Sequence, residues 1–299
     1  MRFDIAEVAH RIKSNSFEEY LHGRLPKLYK LLASNYFLQR IQIFRKTKSN
    51  LNLLAWLYWL VTGHHLSKKG FSMSNYGVWL ANRPNDITYN FCLSASYKNG
   101  LEGILHDITE RTTFVDVGAN IGVFSLVASQ NPNIDGIHSF EPDLESFEFF
   151  ELNILRNHTN RIFSHNHAIG KNVGEVRLTK NQGHSGASRI DSELHKTTGP
   201  SSSITMMNHI YLNSVLDPRA DNYFVKIDVE GYELEVLETL QNADFFPFIQ
   251  RFFIEFDEEF GKVQQVQAFL LRYKFIEMRR WGTNSHWDSL WVKQIAKEK

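Results

Sequence analysis

Thr113-Phe-Val-Asp-Val-Gly-Ala-Asn-Ile-Gly122 is the stretch whose reading decides the fold of this chain. It reads as a buried apolar strand ending in Asp116, a glycine turn, and a helix opening at Ile121. Gly118 and Gly122 let the backbone turn tightly and come close to a ligand that a Cβ would block. A strand, turn and helix in that order build a nucleotide-type cofactor site at the carboxyl end of the first strand of an open α/β sheet.

Outward from this stretch, strands and helices alternate. The pattern predicts strands at Gly136–Phe140, Ile162–His167, Tyr223–Asp228 and Phe252–Phe256, and a final pair at Phe275–Arg280 and Leu290–Lys293. Helices are expected at Gly122–Ser129 and Leu144–Arg156, the latter with Phe147, Phe150 and Leu152 facing inward. Alternation at this spacing implies βαβ crossovers and a mostly parallel sheet. Residues 170–222 form a long insertion rich in Gly, Ser, Thr and His, the composition of a functional loop or small added strands. Before the core, Tyr76-Gly-Val-Trp-Leu80 and Ile87-Thr-Tyr-Asn-Phe-Cys-Leu93 read as short strands around the turn Asn82–Asp86. Leu101 to Glu110 reads as a helix. Three regions result: a helical extension over 1–70, a lead-in over 71–110, and the α/β body over 111–299.

Composition sets bounds on function. At 42% apolar and 22% charged residues, the 299-residue chain has an ordinary globular balance. Its single cysteine, Cys92, excludes an intrachain disulfide and any cysteine-based zinc site. The net charge of zero conceals an asymmetry. Residues 1–70 hold twelve Lys/Arg against four acids, leaving 21 of the 33 bases and 29 of the 33 acids to the body. A basic leader on an acidic body suggests a separate task for the leader. The apolar run Leu51–Val61 is too short to span a bilayer, which takes about 20 residues. With Lys46, Lys48, Lys68 and Lys69 beside it, the 45–70 segment suits a helix packed on the body or one resting on the inner face of a membrane. A cytoplasmic location is expected. The acidic body carries no nucleic-acid module, and no nucleic-acid partner is expected.

Ligands of open α/β sheets bind beyond the carboxyl ends of the strands. The first strand delivers Asp116, Gly118, Ala119 and Asn120 to that edge, and the second delivers Glu141, nineteen residues beyond Gly122. A carboxylate at that spacing accepts hydrogen bonds from both ribose hydroxyls. The third delivers His167-Ala-Ile-Gly170, whose small residues leave a flat space for an adenine. The fourth delivers Lys226, Asp228 and Glu230, and the fifth Glu255. Singly, Glu141 suits a helix-capping acid, and Asp228 with Glu230 a solvated loop. Together they converge on one edge.

These residues resemble the FkbM methyltransferase family in Asp116-Val-Gly-Ala-Asn-Ile-Gly122, Phe140-Glu-Pro142, Ala168-Ile-Gly170 and Lys226-Ile-Asp-Val-Glu-Gly231 followed by Glu233. Leu212–Leu216 falls where that family carries a short strand and turn. The resemblance covers roughly residues 110–260. It implies a class I S-adenosylmethionine-dependent methyltransferase fold, a Rossmann-like seven-stranded sheet ordered 3-2-1-4-5-7-6 with the seventh strand antiparallel. It also implies O-methylation of a sugar, glycan or similar polar acceptor. Carried over by position, Gly118, Ala119, Asn120 and Gly122 would form the methionine turn. Asp116 would hold the amino group directly or through water, Glu141 would grip the ribose, and Ala168 would border the adenine. Asp228 would lie beneath the sulfonium. His167 stands where many methyltransferases have Asp or Asn.

Methyl transfer to a hydroxyl requires positioning and a proton acceptor. Candidates are Asp228, Glu230, Glu255 and His184, with a carboxylate of the fourth strand end preferred, and Lys226 could orient the acceptor. Asp228, Glu230 and Glu255 are oxygen ligands of the type that holds a hard cation, but ligand type alone does not favour a metal and none is expected. Two other readings share part of the pattern: a nicotinamide-dependent oxidoreductase and a non-catalytic, membrane-associated scaffold. The turn here is Gly-x-x-x-Gly, without the full Gly-x-Gly-x-x-Gly of dinucleotide enzymes, which counts against the first.

Overall fold

In the computed structural model the chain divides into two units, Met1–His64 and His65–Lys299. Residues 65, 67–97, 99–191, 199–218 and 222–294 are described. The helical reading of the leader and most of the 45–70 segment lie outside them.

Strands β1 (Ser67–Lys68), β2 (Phe71–Met73) and β3 (Trp79–Ala81) form a small antiparallel sheet, followed by helices α1 (Ile87–Ser94) and α2 (Leu101–Asp107). The core then runs β4 (Thr112–Val117), α3 (Val123–Ala128), β5 (Ile134–Phe140), α4 (Leu144–Asn157) and β6 (Ile162–His165). After β7 (Ala168–Ile169), the insertion contributes β8 (Gly174–Thr179), β9 (Arg189–Ile190), β10 (Ser201–Met207) and α5 (His209–Val215). The core resumes with β11 (Tyr223–Ile227), α6 (Glu233–Leu240), β12 (Ile249–Asp257), α7 (Val263–Arg272), β13 (Phe275–Gly282) and β14 (His286–Lys293).

Seven strands make the central sheet in the order β13-β14-β12-β11-β4-β5-β6. Counted among themselves from the β6 edge, they stand 3-2-1-4-5-7-6, and β14 runs antiparallel to both neighbours. Every residue of β4 and β11 is buried, as befits central strands covered on both faces. Successive side chains alternate between two cores. Val115, Val225 and Phe252 pack on the side of α6 and α7, while Phe114, Phe224 and Phe253 pack on the side of α2 and α3. The strands of the insertion join β7 in a separate sheet, β7-β10-β8-β9.

Three local expectations are corrected. Ile87–Leu93, expected as a strand from its β-branched and aromatic residues, is α1. The Asp86 side chain caps it by accepting from Tyr89 N at 2.8 Å, and Ala95 closes it in the left-handed region at φ 54°. On α4, Phe150 is buried but Leu152 is 46% exposed. The inward positions are taken by Ser146, Phe150 and Asn153. Asn153 accepts from Ala81 N at 2.6 Å and donates to Ile121 O at 2.9 Å, so a polar side chain fastens β3 to the start of the α3 turn. Leu212–Leu216 is helical for the most part, because Asn208 caps α5 by accepting from Ile210 N at 3.0 Å.

Candidate active site

The turn after β4 is built by backbone hydrogen bonds to its neighbour strand. Gly118 N and Ala119 N both donate to Phe140 O at 3.0 Å. Gly118 has φ +82°, and a Cβ there would stand 1.8 Å from Asp228 O. Gly122 has φ +77°, and its Cβ would stand 1.9 Å from the Phe150 ring. Both glycines are therefore required by packing against the protein's own chain, a stronger constraint than the ligand approach inferred from sequence. Between them Asn120 also adopts positive φ, at 50°, a region Asn tolerates better than most residues.

Asn120 N donates to Glu141 Oε2 at 2.7 Å, and Asp143 N donates to Glu141 Oε1 at 2.8 Å. Each oxygen keeps a lone pair for a further donor. Burial pushes the Glu141 carboxyl up to about 7, against the pull of those two backbone donors. The carboxylate is thus fixed in direction before any ligand arrives.

Lys226 on β11 stands in register with Asp116 on β4, so their side chains share one face of the sheet. Its Nζ lies 3.1 Å from Asp116 Oδ1 and 3.3 Å from Asp228 Oδ2, and donates to Gly118 O at 2.9 Å. Burial pulls this ammonium down, but Asp116 and Asp228 outweigh it and hold it above the ordinary lysine range. Asp116 also accepts from Ser125 Oγ at 2.6 Å. A buried cation thereby ties the glycine turn to the fourth strand end.

A cavity of about 470 Å³ opens at this edge, within the range of small-ligand sites. Gly118, Asn120 and Glu141 line it, together with the apolar Phe140, Pro142, Ala168 and Ile169. Thr88 and Phe91 of α1 and His184–Gly186 of the insertion close over them. The lining also includes the acidic Asp228, Glu230, Glu255 and Asp288 and the aromatic Tyr97, Trp281 and Trp287. Burial raises Glu230 and Glu255, and the charge of Asp228 raises both further. His286 bridges Glu255 Oε1 at 3.1 Å and Asp257 Oδ2 at 3.2 Å. Among the described residues, Asp228, Glu230 and Glu255 offer oxygens within 4.8 Å of one another, near enough to share one cation. Lys226 Nζ stands 3.3 Å from Asp228 Oδ2, and His286 Nε2 stands 3.1 Å from Glu255 Oε1.

Of the residues expected from sequence, Gly118, Asn120, Glu141, Ala168, Asp228, Glu230, Glu255 and His184 line the cavity. Asp116, Ala119, Gly122 and Lys226 are not among its lining residues, and Asp116 and Lys226 are 1% and 3% exposed. Asp116 anchors Lys226 and Ser125; the role of gripping an amino group directly does not fit its burial. Sequence reasoning missed His286 and Asp288. The antiparallel seventh strand begins at the edge where the fifth ends, and Asp257 pairs with His286 and Glu255 with Asp288. The expected topology carried that signal. It also missed Tyr97, Asp86 and Ser185, whose placement depends on the loops around the core.

The Methyltransferase FkbM domain profile matches residues 116–282, more than half of the 299-residue chain. Among curated proteins no sequence matches. A putative transferase from Pyrococcus horikoshii aligns at 15% identity over 94% of this chain and 99% of its own, with a TM-score of 0.42. The precorrin-6y C5,15-methyltransferase of Geobacter metallireducens aligns at 10% identity over 65% and 86%, with a TM-score of 0.39. TrmK of M. capricolum, solved with S-adenosylhomocysteine, aligns at 12% identity over 64% and 67%, with a TM-score of 0.38. Likenesses this distant say nothing of substrate, whereas the profile match spans the glycine turn, Glu141 and the fourth strand end. The strand order and the match agree: this chain belongs to the FkbM family of S-adenosylmethionine-dependent methyltransferases.

Proposed function

We propose that the protein methylates a hydroxyl of a neutral, polyhydroxylated acceptor such as a sugar or glycan. The observation that carries this reading is the grouping of Asp228, Glu230 and Glu255, whose oxygens lie within 4.8 Å of one another, in a cavity that Trp281 also lines. Carboxylates accept hydrogen bonds from hydroxyls, and aromatic rings cover the apolar faces of a sugar ring. A phosphate-rich acceptor such as nucleic acid would meet repulsion there.

The residues fit the cofactor. Glu141, with one free lone pair on each oxygen, suits two ribose hydroxyls, and the apolar lining of Phe140, Ala168 and Ile169 suits a planar base. Gly118 and Asn120 border the methionine part, with Asp116 and Gly122 shaping the turn from behind. S-adenosylmethionine supplies an electrophilic methyl group on a sulfonium. Asp228, held by Lys226, orients the acceptor hydroxyl beneath that position. Glu230, raised by burial and by Asp228, takes the hydroxyl proton, since a base tuned toward neutrality is the more effective one. Glu255 lies within 4.8 Å of it, with His286 Nε2 3.1 Å from the Glu255 carboxyl.

Methyl transfer from radiolabelled cofactor to a panel of neutral, aminated and phosphorylated oligosaccharides tests the reading. Label is expected as a methyl ether on neutral acceptors, with Glu230→Gln slowing turnover by about 10²–10⁴-fold. Label found only on the amines of the aminated acceptors, or only on the phosphorylated ones, would overturn it. The 45–70 membrane expectation rests mostly outside the described residues, and no described helix is long and apolar enough to cross a membrane.

A further inference from the structure

We propose that Asp86 and Ser185 are positioning residues for the cofactor, latching residues 183–186 across the turn that carries Asn120. The proposal rests on the placement of S-adenosylmethionine at Asn120 and Glu141 argued above. Asp86 lies before α1 and outside the family-matched region 116–282, and it is 3% exposed.

Its carboxylate does more than cap a helix. Oδ1 accepts from Tyr89 N at 2.8 Å and from Ser185 Oγ at 3.1 Å, while Oδ2 accepts from Ser185 N at 2.9 Å. A cap needs one oxygen, and Ser or Asn supplies it as well as Asp does. The second oxygen, buried and costly without partners, takes its hydrogen bond from Ser185, with Arg83 Nε farther off at 3.9 Å. Two further bonds hold the same segment: Ile87 N donates to Gly183 O at 2.7 Å, and Gly186 N donates to Thr88 Oγ1 at 2.8 Å.

Ser185 then reaches the cofactor turn. Its Oγ lies 3.1 Å from Asn120 Nδ2 and 3.2 Å from Asn120 Oδ1. Asn120 Oδ1 already accepts from Ile121 N at 2.9 Å, and a hydroxyl has one proton to give. The consistent arrangement is directional: Asn120 Nδ2 donates to Ser185 Oγ, which donates to Asp86 Oδ1. Asn120 N donates onward to Glu141 Oε2. Asn120 is held at positive φ, a conformation that needs support from its surroundings. Asp86 thus fixes, through Ser185 and Asn120, the carboxylate assigned to the ribose. The same contacts join that carboxylate to α1, whose Thr88 and Phe91 line the cavity.

Calorimetric titration of S-adenosylhomocysteine into the full-length protein, with thermal melts of each ligand-free variant, tests the latch. Ser185→Ala removes the hydroxyl, and Asp86→Ser keeps the helix cap while giving up the oxygens that hold the segment. Each is expected to weaken binding about five- to tenfold, the worth of a hydrogen bond in the support of a site. Asn120→Ala combined with Ser185→Ala should lose little more than Asn120→Ala alone, because the two act as one unit. Affinity within about twofold of wild type in Ser185→Ala, or fully additive losses in the pair, would overturn the proposal. Should Asp86→Ser fail to fold, the Ser185 and Asn120 variants decide alone. Failure of the wild type to bind would instead sink the cofactor placement.

Discussion

Lys226 and Asp288 show how charge is managed at single residues of this site. Lys226, 3% exposed, stands between two carboxylates, so Lys226→Met would leave Asp116 and Asp228 without their common cation. Denaturant unfolding is expected to show a loss of about 3–5 kcal/mol; a neutral or stabilising effect would mean the triad is not holding the turn. Asp288 is the opposite case. Burial first, and then Asp228, push its carboxyl up to about 7. An acid raised on folding binds its proton more tightly in the folded state, so its contribution falls as pH climbs from the ordinary aspartate range through about 7. Asp288→Asn removes that fall. Its melting temperature relative to wild type should therefore climb from about pH 5 to about pH 8, and a constant difference would contradict the assignment.

At the scale of elements, the sheet was the legible part of the sequence. Central strands buried on both faces are continuous apolar runs, and Thr113–Val117 and Tyr223–Ile227 announce themselves in that way. Strand ends then place Glu141, Asp228 and Glu255 by topology alone. Elements defined by caps were harder to read. Ile87–Ser94 has the composition of a strand and becomes a helix because Asp86 caps it, a contact that also serves Ser185. On α4 the apolar Leu152 faces outward while Asn153 is buried, since Asn153 completes the hydrogen bonding of Ala81 and Ile121. No periodicity rule ranks an asparagine as core. Asn153→Ala should cost about 1–3 kcal/mol in thermal or denaturant unfolding, leaving buried backbone groups unpaired. A cost below that range would show the fastening between β3 and the α3 turn to be dispensable.

For the whole molecule, the functional reading depends on how two ends of one cavity divide the work. One end, from Glu141 to Ala168, is specified by the family-matched core and by strand order, and its residues were legible from spacing. The other end draws on Tyr97, Trp281, His286 and Asp288, which come from connections and from the antiparallel last strand. There the sequence named the acidic chemistry through Asp228, Glu230 and Glu255, and none of the aromatic residues. Titration of S-adenosylhomocysteine into wild type and Glu141→Ala, with melts confirming that both are folded, tests the cofactor placement most directly. A single saturable site in wild type, weakened at least about tenfold in the variant, is the expected result. Absence of binding to wild type, or equal binding by the two proteins, would contradict it.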